Sequence, residues 1–212
     1  MTTYSEPKWL PWARELQAMA QCGLTFTKDP YDRERYERLL ALSAEIFHRH
    51  SDVSPEIIAG LFAGQVGYAT PKVDVRGAVF DDEGRILLVR ETADNGRWTL
   101  PGGWADVNLT AAENVVKEVR EESGYQVRVT KLAAVWDRTR QGHPVGVFSC
   151  CKMFFTCEVE GGAPATGLET SEVRWFWQYE LPAELSSERV MMKQIKRMFE
   201  HKEQPGLATD FD

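Results

Sequence analysis

Along the N-terminal third of the chain apolar positions recur every three to four places; further on they alternate, and that change of period organises the sequence. In WLPWARELQAMAQCGL, the residues Trp9, Trp12, Leu16, Met19 and Ala20 fall at helical spacing, with Gly23 marking the end. A second helix is predicted from about Tyr31, just after Pro30, with Tyr36, Leu39, Leu40, Ser43 and Phe47 on one side. A third opens at Ser54, an N-cap residue, with Pro55 at the first helical position and Ile58, Leu61 and Phe62 as its apolar stripe.

The period switches at GYATPKVDV, where Gly and Pro punctuate the chain and β-branched residues begin to alternate with polar ones. This places a boundary between a small all-helical domain over residues 1–70 and a second domain over 71–212. Strands are predicted at VDVRGAVF, RILLVRE, RWTL, VRVTKLAAVWD, SCCKMFFTCEVE and EVRWFWQY, with DDEG turning the first hairpin. A last amphipathic helix over SSERVMMKQIKRMFEHK carries Met192, Ile195 and Phe199, and the polar tail EQPGLATDFD reads as loose, with Leu207 and Phe211 available to dock. The order predicts an α+β fold with a mixed sheet between helices.

Charge narrows the functional classes. With 25 basic against 32 acidic residues, net −7, the chain is a poor nonspecific binder of nucleic acid, and a phosphate-bearing ligand needs local cations or a metal. No apolar run approaches the ~18 residues of a membrane span. The N-terminus has no basic, then apolar, signal pattern, and Cys22, Cys150, Cys151 and Cys157 have neither metal-ligand nor disulfide spacing, so the protein is expected in the cytoplasm with reduced thiols.

Between the third and fourth strands lies GGWADVNLTAAENVVKEVREESGY, residues 102–125. Thr110 and Glu113 have capping-box spacing, and Gly124 stands where a left-handed residue ends a helix, which delimits a helix from near 110 to near 123. Ala112, Val115, Val116 and Val119 form its apolar stripe, and Glu118, Glu121 and Glu122 sit together beside it. Clustered carboxylates repel by roughly a few tenths of a kcal/mol per exposed pair. Spacing alone leaves two readings, a solvated acidic face or an oxygen site for a hard divalent cation.

The segment resembles the Nudix box: Gly103, Glu118, Val119, Glu121, Glu122, Gly124 and Tyr125 match it, while Leu109 and Lys117 stand where the family carries Glu and Arg. In the family that pair commonly braces the loop against the helix, and Asp106 or Glu113 is the expected substitute partner for Lys117. The resemblance covers about residues 73–201. GLTFTKDPYDRERYERL and GYATPKVDVRGAVFD are similar to a branch with an N-terminal helical domain, to which CDP-choline and ADP-ribose pyrophosphatases have been assigned and which pairs as homodimers.

The resemblance implies an α/β/α sandwich and Mg²⁺- or Mn²⁺-assisted attack of water on the diphosphate of a nucleoside diphosphate linked to another moiety. It implies Glu118 and Glu122 as ligands, Glu121 as a third ligand or a supporting group, and the backbone of Gly103 or Gly102 in the same shell. Relatives often take their base from outside the box, which makes Glu169 and Glu172 candidates, with Asp106 another. Arg76, Arg90 and Arg138 are candidates for the phosphates, His143 for the leaving group and Trp104 for stacking. Their alternatives are ordinary salt bridges for the arginines, a solvated loop histidine and a core tryptophan. Two rival functions stay open: a nucleotide-sensing module that does not cut, and a nuclease acting on RNA 3′ ends.

Overall fold

The computed structural model describes residues 7–212; the first six residues of the predicted helical domain lie outside them. The chain divides into two compact units, one running to Pro71 and including Val145–Ser149, the other made of Lys72–Pro144 and Cys150–Asp212.

The first unit contains α1 (Trp9–Phe26), α2 (Pro30–His50) and α3 (Pro55–Ala63). Asp29 caps α2 by accepting from the Tyr31 and Asp32 amides, and Ser54 caps α3 by accepting from Ile57. Gly23 does not end α1. It lies inside the helix because α2 crosses there: a Cβ at Gly23 would stand 2.4 Å from the Tyr36 ring. The buried face of α1 is also rotated from the predicted stripe. Leu10, Ala13, Gln17 and Ala20 point inward, with Leu10 and Ala13 packing with Phe47, Ile58 and Phe62, while Trp12, Met19 and Phe26 are exposed at seven-residue spacing.

The second unit is built on one seven-stranded mixed sheet: β1 (Lys72–Phe80), β2 (Ile86–Glu91), β3 (Arg97–Thr99), β4 (Tyr125–Asp137), β5 (Cys150–Gly162), β6 (Thr170–Phe176) and β7 (Asp210–Phe211). The order is β3-β2-β1-β5-β4-β7, with β6 also on β2, and the β1–β5 and β4–β7 pairs are parallel. Helices α4 (Ala111–Ser123) and α5 (Met192–Glu203) cover the two faces. Alternation along β1 makes the sandwich: Val75 and Val79 pack with Val115 and Val119 of α4, and Ala78 and Phe80 with Ile195, Met198 and Phe199 of α5. Gly77 permits the close approach of α4, since a Cβ there would meet Val119 at 2.9 Å.

The last helix starts six residues later than its apolar pattern suggested, after a turn in which Arg189 and Val190 amides bond to Ser186 O. The tail is not loose. Lys131 donates to the carbonyls of Pro205 and Leu207, Arg197 grips both Asp210 oxygens at 2.6 and 2.8 Å, and Asp210 and Phe211 add β7 beside Ala134 and Val135.

Candidate active site

The site forms where the segment Pro101–Ala105 runs beside the start of β1. Gly77 N donates to Pro101 O, Val75 N to Gly103 O and Ala105 N to Val73 O, each at 2.9 Å. This leaves the Gly102 amide free to donate to Glu122 Oε2 at 2.9 Å, which ties the glycine turn to the last turn of α4. Only glycine fits there: Gly102 has φ +144°, and a Cβ would lie 2.0 Å from Val75 O. Gly103 faces Glu118, whose Oε2 would be 3.1 Å from an added Cβ.

Helix α4 has the predicted limits. Thr110 and Glu113 complete the capping box, and Gly124 ends the helix at φ +76°. Glu113 is therefore occupied at the cap, and Lys117 turns to Asp106 (3.0 Å), Glu121 (3.1 Å) and Glu118 (3.6 Å). The brace that the box's usual Glu–Arg pair supplies is made by a residue the sequence reading passed over. Asn114 is fully buried; its Oδ1 accepts from Asp106 N at 2.8 Å, and its Nδ2 faces the carbonyls of Thr110, Asp106 and Leu109 at 3.1–3.4 Å.

Burial pushes the Glu122 carboxyl up to about 8, against the pull of Arg76 and the Gly102 amide, and neighbouring Glu118 and Glu91 push the same way. Glu118 is also raised, first by burial. Glu121 is exposed and paired with Lys117. Among the described residues no three carboxylate, imidazole or thiol side chains converge into a ready-made cage. The donor set nonetheless suits a hard cation. Glu118 stands beside the Gly103 backbone and the buried Glu122 beside Gly102, the Lys117 ammonium already lies near Glu118, and Mg²⁺ commonly takes one or two carboxylates with phosphate oxygens completing the octahedron.

Beneath the turn lies a charged floor. Asp74 accepts from Arg76 Nε (3.0 Å) and Nη2 (2.6 Å) and from Lys152 Nζ (2.6 Å), all three residues being buried. Burial and nearby Arg76 lower Lys152 to about 8, and the two cations hold Asp74 below its ordinary value despite its burial. The sequence carried a signal for this floor: Asp74 and Arg76 share the β1 face of Ala78 and Phe80, and Lys152 shares the β5 face of Phe154, so charges stand at apolar positions. A further buried carboxylate, Glu91, pairs with Arg189 at 3.2 Å and is raised chiefly by burial.

The residues read as substrate-binding separate into two groups. Arg76, Arg138 and His143 are buried: Arg76 Nη1 also donates to Leu100 O, Arg138 bonds to Pro144 O and Glu188, and His143 Nδ1 donates to Ser187 O while its Nε2 has no partner among the described residues. As placed, they shape the field and hold loops rather than offering a surface to phosphate. Arg90, Trp104 and Asp106 keep open surface; Arg90 donates to Gly96 O at 2.7 Å and faces Glu172 across the β2–β6 pair at 3.4 Å. Glu169 is exposed on the segment Ala163–Thr170, which is fastened to the end of α4 by Ala165 N to Ser123 O and Thr170 Oγ1 to Glu122 O.

Over 207 residues the chain is 45% identical to YjhB of Bacillus subtilis (strain 168), provisionally named an ADP-ribose pyrophosphatase, covering 98% of each. The structure of an ADP-ribose pyrophosphatase from Streptococcus suis 89-1591 superposes with a TM-score of 0.60 at 35% identity, over 68% of this chain and 100% of that one. A UDP-X diphosphatase structure superposes with a TM-score of 0.61 at 34% identity, over 96% and 98% of the two chains. Residues 7–62 match a domain described as UDP-X-like, N-terminal oligomerisation, and residues 70–195 match the NUDIX domain. The second match alone spans more than half of the sequence, and the chain belongs to the Nudix family.

Proposed function

We propose that this chain is a metal-dependent pyrophosphohydrolase cleaving the diphosphate of a nucleoside diphosphate linked to a second moiety, with ADP-ribose and UDP-linked compounds the first candidates and CDP-choline next. The observation that carries the reading is the docking of the α4 carboxylates on the glycine turn, with Glu122 bonded to Gly102 and Glu118 against Gly103. The substrate class is supported by the names of the Streptococcus suis and UDP-X proteins.

Glu118, Glu122 and the Gly103 carbonyl would hold Mg²⁺ or Mn²⁺, with Glu121 at the rim. Bound there, the metal supplies charge neutralisation on the diphosphate oxygens. Arg90 and Trp104 offer a cation and an aromatic face to the substrate, and Arg76, below the turn, adds positive field without touching it. Water bonds to phosphorus as the bridging P–O bond breaks, and its proton passes to a carboxylate. Glu169 is the preferred base because its segment is bonded to the last turn of α4, whereas Glu172 faces Arg90 and Asp106 faces Lys117. The products are a nucleoside monophosphate and a phosphorylated second moiety.

The exposed α1 stripe of Trp12, Met19 and Phe26 gives a second copy an apolar face, in the region matching an oligomerisation domain, and we assign the homodimer to it. All four cysteines are unpaired, which fits a reducing compartment such as the cytoplasm. No described helix is long and apolar enough to cross a membrane.

The test is product formation from a panel of ADP-ribose, UDP-linked sugars, CDP-choline, nucleoside triphosphates and an RNA 3′ end, with Mg²⁺ or Mn²⁺, for the natural sequence and Glu118→Gln. Turnover of a linked diphosphate, reduced more than about a hundredfold by the substitution, is expected. Nucleotide binding without turnover of any panel member would replace this reading with the sensing module.

A further inference from the structure

Lys117 stands where the Nudix box carries arginine, and Leu109 removes that arginine's usual partner. The loop does not need Lys117 for its brace, because Asn114 holds the Asp106, Leu109 and Thr110 backbone from inside. Glu113, one helical turn back, is committed to the cap. The ammonium is left facing three carboxylates from two segments: Asp106 of the loop at 3.0 Å, with Glu121 at 3.1 Å and Glu118 at 3.6 Å on α4. It is thus the cation of a face that includes Glu118.

We propose that Lys117 is a tethered counter-cation for this face, displaced when a divalent ion binds, and that the exchange sets the metal affinity of the site. The inference rests on the metal-centre reading given above. Its physical basis is the exposure of the ion pairs. Lys117, Asp106 and Glu121 are each more than a third open to solvent, so the ammonium is held weakly and can swing out on its four-carbon stem. Glu118, much less exposed, gains most from a divalent charge at closer range. Metal-free protein keeps this face partly neutralised by its own lysine, and metal binding competes with that lysine. Lys117 is a positioning residue in this scheme, acting on metal occupancy through Glu118.

The experiment is Mn²⁺ titration at fixed ionic strength, followed by loss of the free aquo-ion paramagnetic resonance signal, on the natural sequence, Lys117→Met, Lys117→Gln, Lys117→Arg and Glu118→Gln. Removal of the ammonium is expected to tighten Mn²⁺ binding roughly tenfold in both uncharged variants, as loss of a few weak ion pairs implies. Lys117→Arg, which keeps the charge, should bind close to the natural sequence, and Glu118→Gln should bind more weakly. Thermal melting adds an independent readout: with chelator present Lys117→Met should melt below the natural sequence, and Mn²⁺ should raise its melting temperature by more. Unchanged or weaker binding in folded Lys117→Met and Lys117→Gln, with Glu118→Gln still impaired, overturns the exchange and leaves the metal centre standing. Binding indifferent to Glu118→Gln, or absent from every variant, overturns both readings. Binding seen only after the lysine is removed supports the exchange in its strongest form.

Discussion

Asn114 offers the sharpest test of how the loop before α4 is held. Its Oδ1 accepts one bond, from Asp106 N, and its two amide hydrogens are shared among the carbonyls of Thr110, Asp106 and Leu109, so three bonds are satisfied at once. Each is worth about 1 kcal/mol net, and truncation to alanine also leaves a small void in a fully buried position. Water can reach part of the exposed loop and recover some of this, so Asn114→Ala is expected to destabilise the fold by about 2–3 kcal/mol. Asn114→Asp keeps the acceptor for Asp106 but turns an oxygen toward the carbonyls, and should cost at least as much at neutral pH. Urea unfolding would measure both, and hydrogen exchange of the 104–110 amides would locate the effect. A loss below about 0.5 kcal/mol for the alanine variant, or an aspartate variant as stable as the natural sequence, would refute the idea that this side chain replaces the missing Glu–Arg brace.

Three further outcomes follow from the structure. Gly102→Ala places a methyl 2.0 Å from Val75 O, so the turn must move by about 1 Å or more and hydrolysis should fall at least ~100-fold. Gly103→Ala would stand nearest the end of the flexible Glu118 side chain, at 3.1 Å, and should lower stability much less, which paired melts would check. His143 is held neutral, lowered to about 4 first by burial and then by Lys152 and Arg138, against Ser187 O and Asp74. Its folded value lies below the unfolded value of about 6.5. Its contribution is therefore complete above that pH and is lost, by about 3 kcal/mol at most, as pH falls through this window toward 4. His143→Gln should flatten the stability profile there, and an unchanged slope would exclude the assignment.

Legibility in the sequence followed the range of the interactions. The box helix was readable at both ends because Thr110, Glu113 and Gly124 act within one turn of themselves. Glu118 and Glu122 were readable because their i, i+4 spacing already puts them together. Asn114 was hidden by its polar type, although it lies beside Val115 on the inward side of α4. Arg76, Arg138 and His143 read as open to a ligand, but each found protein partners through loops whose paths depend on the sheet. The α1 stripe went astray for a related reason: helical period fixes which residues share a side, not which side is buried, and Trp12 and Met19 lie outward. The tail defeated composition because its order comes from Lys131 and Arg197, distant in sequence from the polar run that suggested looseness.

That tail also alters how this sheet meets its neighbours in a crowded solution. A strand edge with open amides invites pairing with another chain, and β7 presents one only two residues long, Asp210 and Phe211, followed by Asp212. An incoming strand would find too short a ladder, with the Asp210 carboxylate already held by Arg197 and His201, so residues 207–212 serve as a guard against edge-to-edge growth. Removing residues 207–212 would bare β4 beside Ala134 and Val135 and should make the chain aggregate more readily on warming.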